Sequence, residues 1–317
     1  MLACFQDILG HEAQKAYLSR VIEKDSLAHA YCFSGINGIG KALIAERITE
    51  HFLGKNIESQ PNAQIISRIF DEKANKLKTG ITVQQIRALN ERLSMSSFGG
   101  GKKIVIIHDA DRMTAGAQNA LLKTLEEPLG DTHIFLLAED SEQLLPTILS
   151  RSVHLHFSRI PRESICKLAR VKGLSKDQAH ALAGIADGRP EVVINLLDDD
   201  NHQKFTDELA VAFSFIEEAL PLRLRDAETI AKAAKERSDV ERFVWQVERI
   251  LHDVLLNSLS AGHIVAFSDS QERLHNISST KTAHHWMHAL RRAEDVRDHL
   301  QKNGNATIAL EYLSLSI

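Results

Sequence analysis

Residues 102–152 do most to limit what this chain can fold into. They open on a short β-branched run, Ile104-Val105-Ile106-Ile107, which ends at His108-Asp109-Ala110-Asp111. Four consecutive apolar residues between Gly99-Gly100-Gly101 and a pair of carboxylates predict a strand buried on both faces, as in a parallel sheet. Thr114 then caps a helix that Pro128 stops, with apolar positions 117, 120, 121, 122 and 125 along one face. A second buried strand is predicted over 134–137. Leu149-Ser150-Arg151-Ser152 follows and leads into an alternating run over 153–157.

Upstream, a helical pattern over 5–29 leads to the apolar run Ala30-Tyr31-Cys32-Phe33 and the turn Gly35-Ile36-Asn37-Gly38-Ile39-Gly40-Lys41-Ala42. This is the phosphate-loop spacing G-x-x-x-x-G-K, set between a strand and a helix over 43–52. Gly35, Gly38 and Gly40 let the backbone wrap a phosphate, and Lys41 adds a positive charge at the helix N-terminus. Ala42 stands where the motif carries a serine or threonine, so the usual magnesium-binding hydroxyl is missing. Two readings stand for this turn: a weak or vestigial nucleotide site, or a retained structural turn that binds nothing.

Asn119-Ala120-Leu121-Leu122-Lys123-Thr124-Leu125-Glu126-Glu127-Pro128, followed by Ile148-Leu149-Ser150-Arg151-Ser152, closely resembles bacterial clamp-loader subunits of the AAA+ superfamily, and among them the delta-prime branch of DNA polymerase III. Gly10-His11 and His29-Ala30 ahead of the turn, and the ending over 302–313, fit the same pattern. The resemblance implies an α/β fold: a P-loop AAA+ parallel sheet with helices on both faces (1–158), a small three-helix lid (159–200) and an all-α collar (201–317). Its relatives usually carry a four-cysteine zinc module near residues 55–80. This chain has no cysteine there, and the stretch reads as a polar, irregular, metal-free connection.

Composition narrows the partners. The net charge of -4 argues against a protein that binds nucleic acid through a broad basic surface. Aromatic residues make up 5%, too few for a single-strand binder built on base stacking. The three cysteines, Cys4, Cys32 and Cys166, are far apart in sequence and predict free thiols with no zinc ribbon. No signal peptide or membrane-spanning run is evident, so a cytoplasmic protein without membrane contact is expected.

Hydrolysis of ATP on this fold needs a loop hydroxyl and a strand-end Asp for magnesium, a Glu beside that Asp, a polar sensor on the next strand and an arginine from a neighbour. Ala42 replaces the hydroxyl. Asp109 can stand for the metal-binding Asp, but Ala110 follows it where active members carry Glu. Glu139 stands where motors carry Thr or Asn. Arg151 survives, and the resemblance implies that it acts in trans on a neighbouring subunit's ATP; an intrachain salt bridge is the plainer alternative.

These residues imply a non-hydrolysing stator that needs no cofactor, with ATP binding at most weak. Its partners would be gamma/tau-like motor subunits and a delta subunit, with the sliding clamp and primed DNA engaged through the complex. A gamma-like, ATP-hydrolysing motor is the alternative. Lys123 is a candidate DNA-phosphate contact. Arg189, in Gly188-Arg189-Pro190, is near where the resembled superfamily places a nucleotide-sensing arginine, but the setting reads as an ordinary helix break. Asp198-Asp199-Asp200-Asn201 reads as a polar linker, and His284/His288 as an exposed helix face with no metal.

Overall fold

The computed structural model describes residues 2–71, 76–95, 101–234, 237–262, 265–267, 270–301 and 304–317. By internal contacts it divides into two compact units, Met1–Ser164 with Gly188–Glu191, and Ile165–Asp187 with Val192–Ile317.

The first unit is built on a sheet. Its strands are β1 (Ala30–Ser34), β2 (Ala63–Ile66), β3 (Phe70–Asp71), β4 (Lys76–Leu77), β5 (Lys103–Ile107), β6 (Thr132–Ala138) and β7 (Val153–His156). Five of them pair in parallel in the order β2-β5-β6-β1-β7, while β3 and β4 form a separate antiparallel pair. Its helices are α1 (Glu12–Glu23), α2 (Lys41–Leu53), α3 (Val83–Ser94), α4 (Ala115–Glu126) and the single turn α5 (Pro146–Leu149).

Alternation along the strands divides the apolar side chains between two layers. Tyr31, Phe33, Ile104, Ile106, Phe135 and Leu137 face Leu18 and Ile22 of α1 and Ile44 and Ile48 of α2. Cys32, Val105, Ile107, Ile134 and Leu136 face Ile86 and Leu89 of α3 and Leu121 and Leu125 of α4. Tyr31 and Phe135, paired in register on neighbouring strands, stack with ring centroids 5.5 Å apart. The fold is therefore the α/β parallel sheet with helices on both faces that the sequence implies. Its three inner strands, β5, β6 and β1, are buried end to end, as a doubly covered sheet requires.

The Thr114 cap expected from the sequence is present, and a second cap opens the neighbouring helix. Thr82 and Gln85 form a reciprocal capping box at α3, and the Thr114 hydroxyl accepts from Ala117 N at α4. Residues 55–80, expected to be irregular, hold β2 at the sheet edge. That strand is only four residues long and half-exposed, so its sequence carries a weak signal.

The second unit is helical: α6 (Arg162–Val171) and α8 (Pro190–Leu196) cross the boundary between the units, and α7 (Lys176–Ala186), α9 (Asp199–Glu217), α10 (Leu220–Ala233), α11 (Arg237–Ser258), α12 (Gln271–Thr280), α13 (Ala283–Gln301) and α14 (Ala306–Ser314) lie within it. Its core packs Val244, Val247, Leu251 and Val254 of α11 with Phe213 of α9, Trp286 and Val296 of α13 and Leu310 of α14. The expected linker over 198–201 is instead the start of α9. The Asp198 carboxylate accepts from Asn201 N at 3.1 Å, and negative charge suits the positive end of the helix dipole.

Candidate functional site

The parallel sheet brings the ends of four strands to one edge, where ligands of such sheets bind. Gly35 follows β1, Arg68 comes two residues after β2, Asp109 follows β5, and Glu139 follows β6. The glycine turn after β1 needs its glycines. Gly35, Gly38 and Gly40 have φ of +139°, +80° and +105°, and a Cβ on Gly35 would collide with the Phe157 carbonyl. His11, itself at φ +58°, places Nε2 2.8 Å from Ile39 O and steadies the loop from the side.

Lys41, which opens α2, does not reach into an open cradle. Its ammonium is buried and donates to Gly35 O and, at 2.9 Å, to Ile36 O. Burial pushes its pKa down, against the pull of Glu139, Asp111, Asp109 and Glu191. Asn37 Nδ2 donates to Glu139 Oε2 at 3.2 Å, so the Glu139 carboxylate faces the loop rather than turning away from it. Asp109, at φ +48°, accepts from Arg68 Nε at 2.8 Å. Asp111 is buried, and that burial pushes its carboxyl pKa up. Its Oδ2 lies 3.5 Å from Asp140 N, so it engages the strand connection.

The structure therefore gathers Gly35, Gly38, Gly40, Lys41 and Asp109 at one edge, as their sequence positions predict, together with three residues that sequence reasoning missed. Arg68 lies beyond a strand that was itself unrecognised. Asn37 was only a variable position in the turn. Glu191 N donates to Gly38 O at 3.2 Å, and a Cβ on Gly38 would lie 3.3 Å from Glu191 Oε2 and 3.5 Å from Arg189 Cβ. The Gly188–Glu191 stretch, expected to be only a helix break, also packs on the loop. Gly188 at φ +76° leaves no room for a Cβ beside Arg159 and Ile160.

These residues do not fit magnesium-bound ATP. Ala42 offers no hydroxyl, the Asp109 carboxylate is held by Arg68, Lys41 binds the loop's own carbonyls, and Glu139 would repel a terminal phosphate. Cys32, beneath the turn, is chemically quiet, because burial pushes its thiol pKa up to about 12. Cys4, Cys32 and Cys166 form no disulfide. His284 and His288 have ring centroids 4.5 Å apart, and among the described residues no group of three or more His, Cys, Asp and Glu could hold a metal.

Arg151 lies between α5 and β7, preceded by the Ser150 cap of α5. Its side chain is 36% exposed, and Nη2 lies 2.7 Å from Glu126 Oε1 at the end of α4. The intrachain ion pair weighed against a finger role is thus present, and the guanidinium still reaches solvent. Gln118 fixes this corner. Its amide donates to Met113 O at 3.2 Å and Gln143 O at 3.1 Å and accepts from Leu145 N at 2.7 Å, tying α4 to the segment that enters α5. Lys123 is exposed one turn before Glu126 on α4. Among the described residues no helix is long and apolar enough to cross a membrane.

Residues 10–161 match the family model described as DNA polymerase III, delta subunit. DNA polymerase III subunit delta' of Bacillus subtilis is 35% identical over 180 residues, covering 54% of this chain and 55% of that protein. The match thus spans about half of that relative's length. Subunit delta' of Haemophilus influenzae is 29% identical over 238 residues, covering 74% of this chain and 69% of its own. The tau subunit of B. subtilis is 27% identical over 275 residues, 78% of this chain and 43% of its own. Among solved structures, a gamma subunit-related protein from Thermotoga maritima superposes with a TM-score of 0.49 at 20% identity, over 84% of this chain and 98% of that one. The glycine turn, the 119–127 helix segment and the Ser150-Arg151 pair all fall inside the residues that the family model matches, and over this stretch, just under half of its length, the chain is similar to the delta-prime subunits of DNA polymerase III.

Proposed function

We propose that this chain is a catalytically silent stator of a bacterial sliding-clamp loader. In this reading the helices after residue 201 form the collar that closes a ring with gamma/tau-like motor subunits and a delta subunit, and 159–200 act as the lid. Arg151 enters the neighbouring motor's ATP site and stabilises charge on the phosphoryl group in flight. Fingers of this kind contribute ~10³–10⁵ in rate in related phosphoryl-transfer systems. ATP binds this chain weakly at most, and the sliding clamp and primed DNA are engaged through the complex. The observation that carries the reading is the self-occupied nucleotide edge: Lys41 on Gly35 and Ile36 carbonyls, Asp109 on Arg68, and Glu139 facing the loop, while Arg151 stays accessible.

The test is ATP turnover by the cognate motor subunits with delta, clamp and primed DNA, comparing no added chain, wild type and Arg151→Ala. Wild type raises turnover, Arg151→Ala does not, and the chain alone releases no phosphate. Equal stimulation by both versions would keep the assembly role and remove the finger. Lys123 on α4 is the side chain we assign to a DNA phosphate. Lys123→Ala should flatten the salt dependence of DNA binding by the assembled complex by about one phosphate's worth, and an unchanged slope rejects the contact.

The alternative, a gamma-like motor, is favoured by the intact Lys41 and Asp109 and by the likeness to tau. Phosphate release by the purified chain, abolished in Lys41→Ala, would establish it.

A further inference from the structure

Arg151 is held at three points, and one of them comes from a distant element. Nη1 donates to Thr147 O at 3.1 Å and to Ser150 Oγ at 3.4 Å, both local to α5 and its cap. Nη2 meets Oε1 of Glu126, the last residue of α4, at 2.7 Å. A carboxylate at a helix C-terminus faces the negative end of the dipole, so Glu126 is poorly placed for α4 taken alone, and the guanidinium offsets this. Both partners are substantially exposed, 36% and 51%, so the pair adds little to the stability of the fold. It is also too weak to keep an arginine from a polyphosphate, which offers the same fork several charged oxygens. What the pair does supply is order: it restricts a long side chain that otherwise samples many rotamers, and it leaves guanidinium donors for an anion.

We propose that Glu126 is a positioning residue for Arg151, presenting the guanidinium in one orientation to the neighbouring subunit's nucleotide. The inference rests on reading Arg151 as an arginine finger. α4 carries Glu126 and is itself fixed by Gln118, so the orientation of Arg151 is set by the sheet's own packing rather than by its short turn alone.

The test uses the full chain in the reconstituted loader, with wild type, Glu126→Gln, Arg151→Ala and the double variant. Glu126→Gln should lower the stimulated kcat about three- to tenfold, the size of loss expected from a misoriented but present group, with KM changed less than about twofold. In the Arg151→Ala background it should cause no further loss. In the isolated chain, the Arg151 Nε–Hε order parameter should fall in Glu126→Gln, while the melting temperature stays near that of wild type. If Arg151→Ala has no effect on turnover, the finger reading fails and this inference with it. If Arg151→Ala is impaired and Glu126→Gln matches wild type, the inference alone is overturned. Equal losses in both backgrounds would mark a structural role, a gain in kcat would mark a restraining contact, and an unchanged order parameter would mean that Glu126 orders nothing. Each of these also overturns it.

Discussion

His11 shows how one residue can tie a helix entrance to a functional loop. Its ring meets Phe157 edge-on at 4.9 Å, and Nε2 lies 2.8 Å from the Ile39 carbonyl, which can only accept. Nε2 therefore carries a proton, and the ring is suited to its neutral form with Nδ1 unprotonated. Burial pushes the His11 pKa below its ordinary 6.5, Lys15 and Lys41 push the same way, and the Ile39 hydrogen bond and Glu12 oppose them. The sign follows from proton counting. Between the lowered folded value and 6.5 the unfolded chain binds a proton that the folded chain refuses, so stability is full above about 6.5 and falls as the pH drops through that window. Thermal unfolding from pH 7.5 to 5.5 should show a falling midpoint. His11→Gln, whose amide can still donate to Ile39 O, should lose part of that slope; an unchanged slope would mean that His11 does not titrate on unfolding. The Gly-His pair was visible in the sequence only as a family pattern. The physical reason for the histidine, a carbonyl in the glycine turn 28 positions away, appears only once the sheet is assembled.

Among the elements, the most legible were those whose burial is complete. β1, β5 and β6 are covered on both faces, so their residues form unbroken apolar runs that a reader can find. β2 is an edge strand with a half-exposed pattern, and Arg68, the partner of Asp109, went unseen with it. In the helical unit, α11 and α13 carry long amphipathic patterns that a sequence displays. α10 buries Arg223 and Ala227, so what fixes its start is one buried cation rather than a broad apolar face. Arg223 is 7% exposed and donates to four carbonyls: Phe215 at 2.9 Å, Ser314 at 2.8 Å, Ile216 at 3.3 Å and Glu218 at 2.6 Å. It thereby satisfies the C-terminal carbonyls of α9 and one near the end of α14, groups that a helix leaves without partners. Burial pushes the Arg223 pKa down, and Glu218 pulls it up. Arg223→Leu leaves buried acceptors bare, each costing about 1–3 kcal/mol, so the substitution should destabilise by at least ~3 kcal/mol in urea unfolding. A loss below 1 kcal/mol would show that water or the backbone replaces the guanidinium at little cost.

At the scale of the whole molecule, a silent stator would carry a nucleotide edge altered on four strands at once, and that decides what a reversal can achieve. β1 contributes a turn whose lysine binds its own carbonyls, β2 an arginine on the would-be metal ligand, β5 an alanine where a general base belongs, and β6 a carboxylate facing the loop. Each element packs soundly in this altered form. Ala110 is fully buried in the layer beneath α3 and α4, so Ala110→Glu would have to bury a charge or push α4 aside. Groups that act on one transition state are strongly non-additive, and restoring one of several missing members restores little. Ala42→Ser, the change that completes the G-x-x-x-x-G-K-[ST] motif, should therefore leave phosphate release by the isolated chain at background. It should also leave the melting temperature in millimolar magnesium-ATP within about 1 °C of that without nucleotide, since a ligand held no tighter than its own concentration stabilises by less than about 0.5 kcal/mol. Turnover or a clear thermal shift from that single hydroxyl would mean that Arg68 and Glu139 move aside when ATP arrives, and that the self-occupied edge is a resting state of a working motor rather than a lost site.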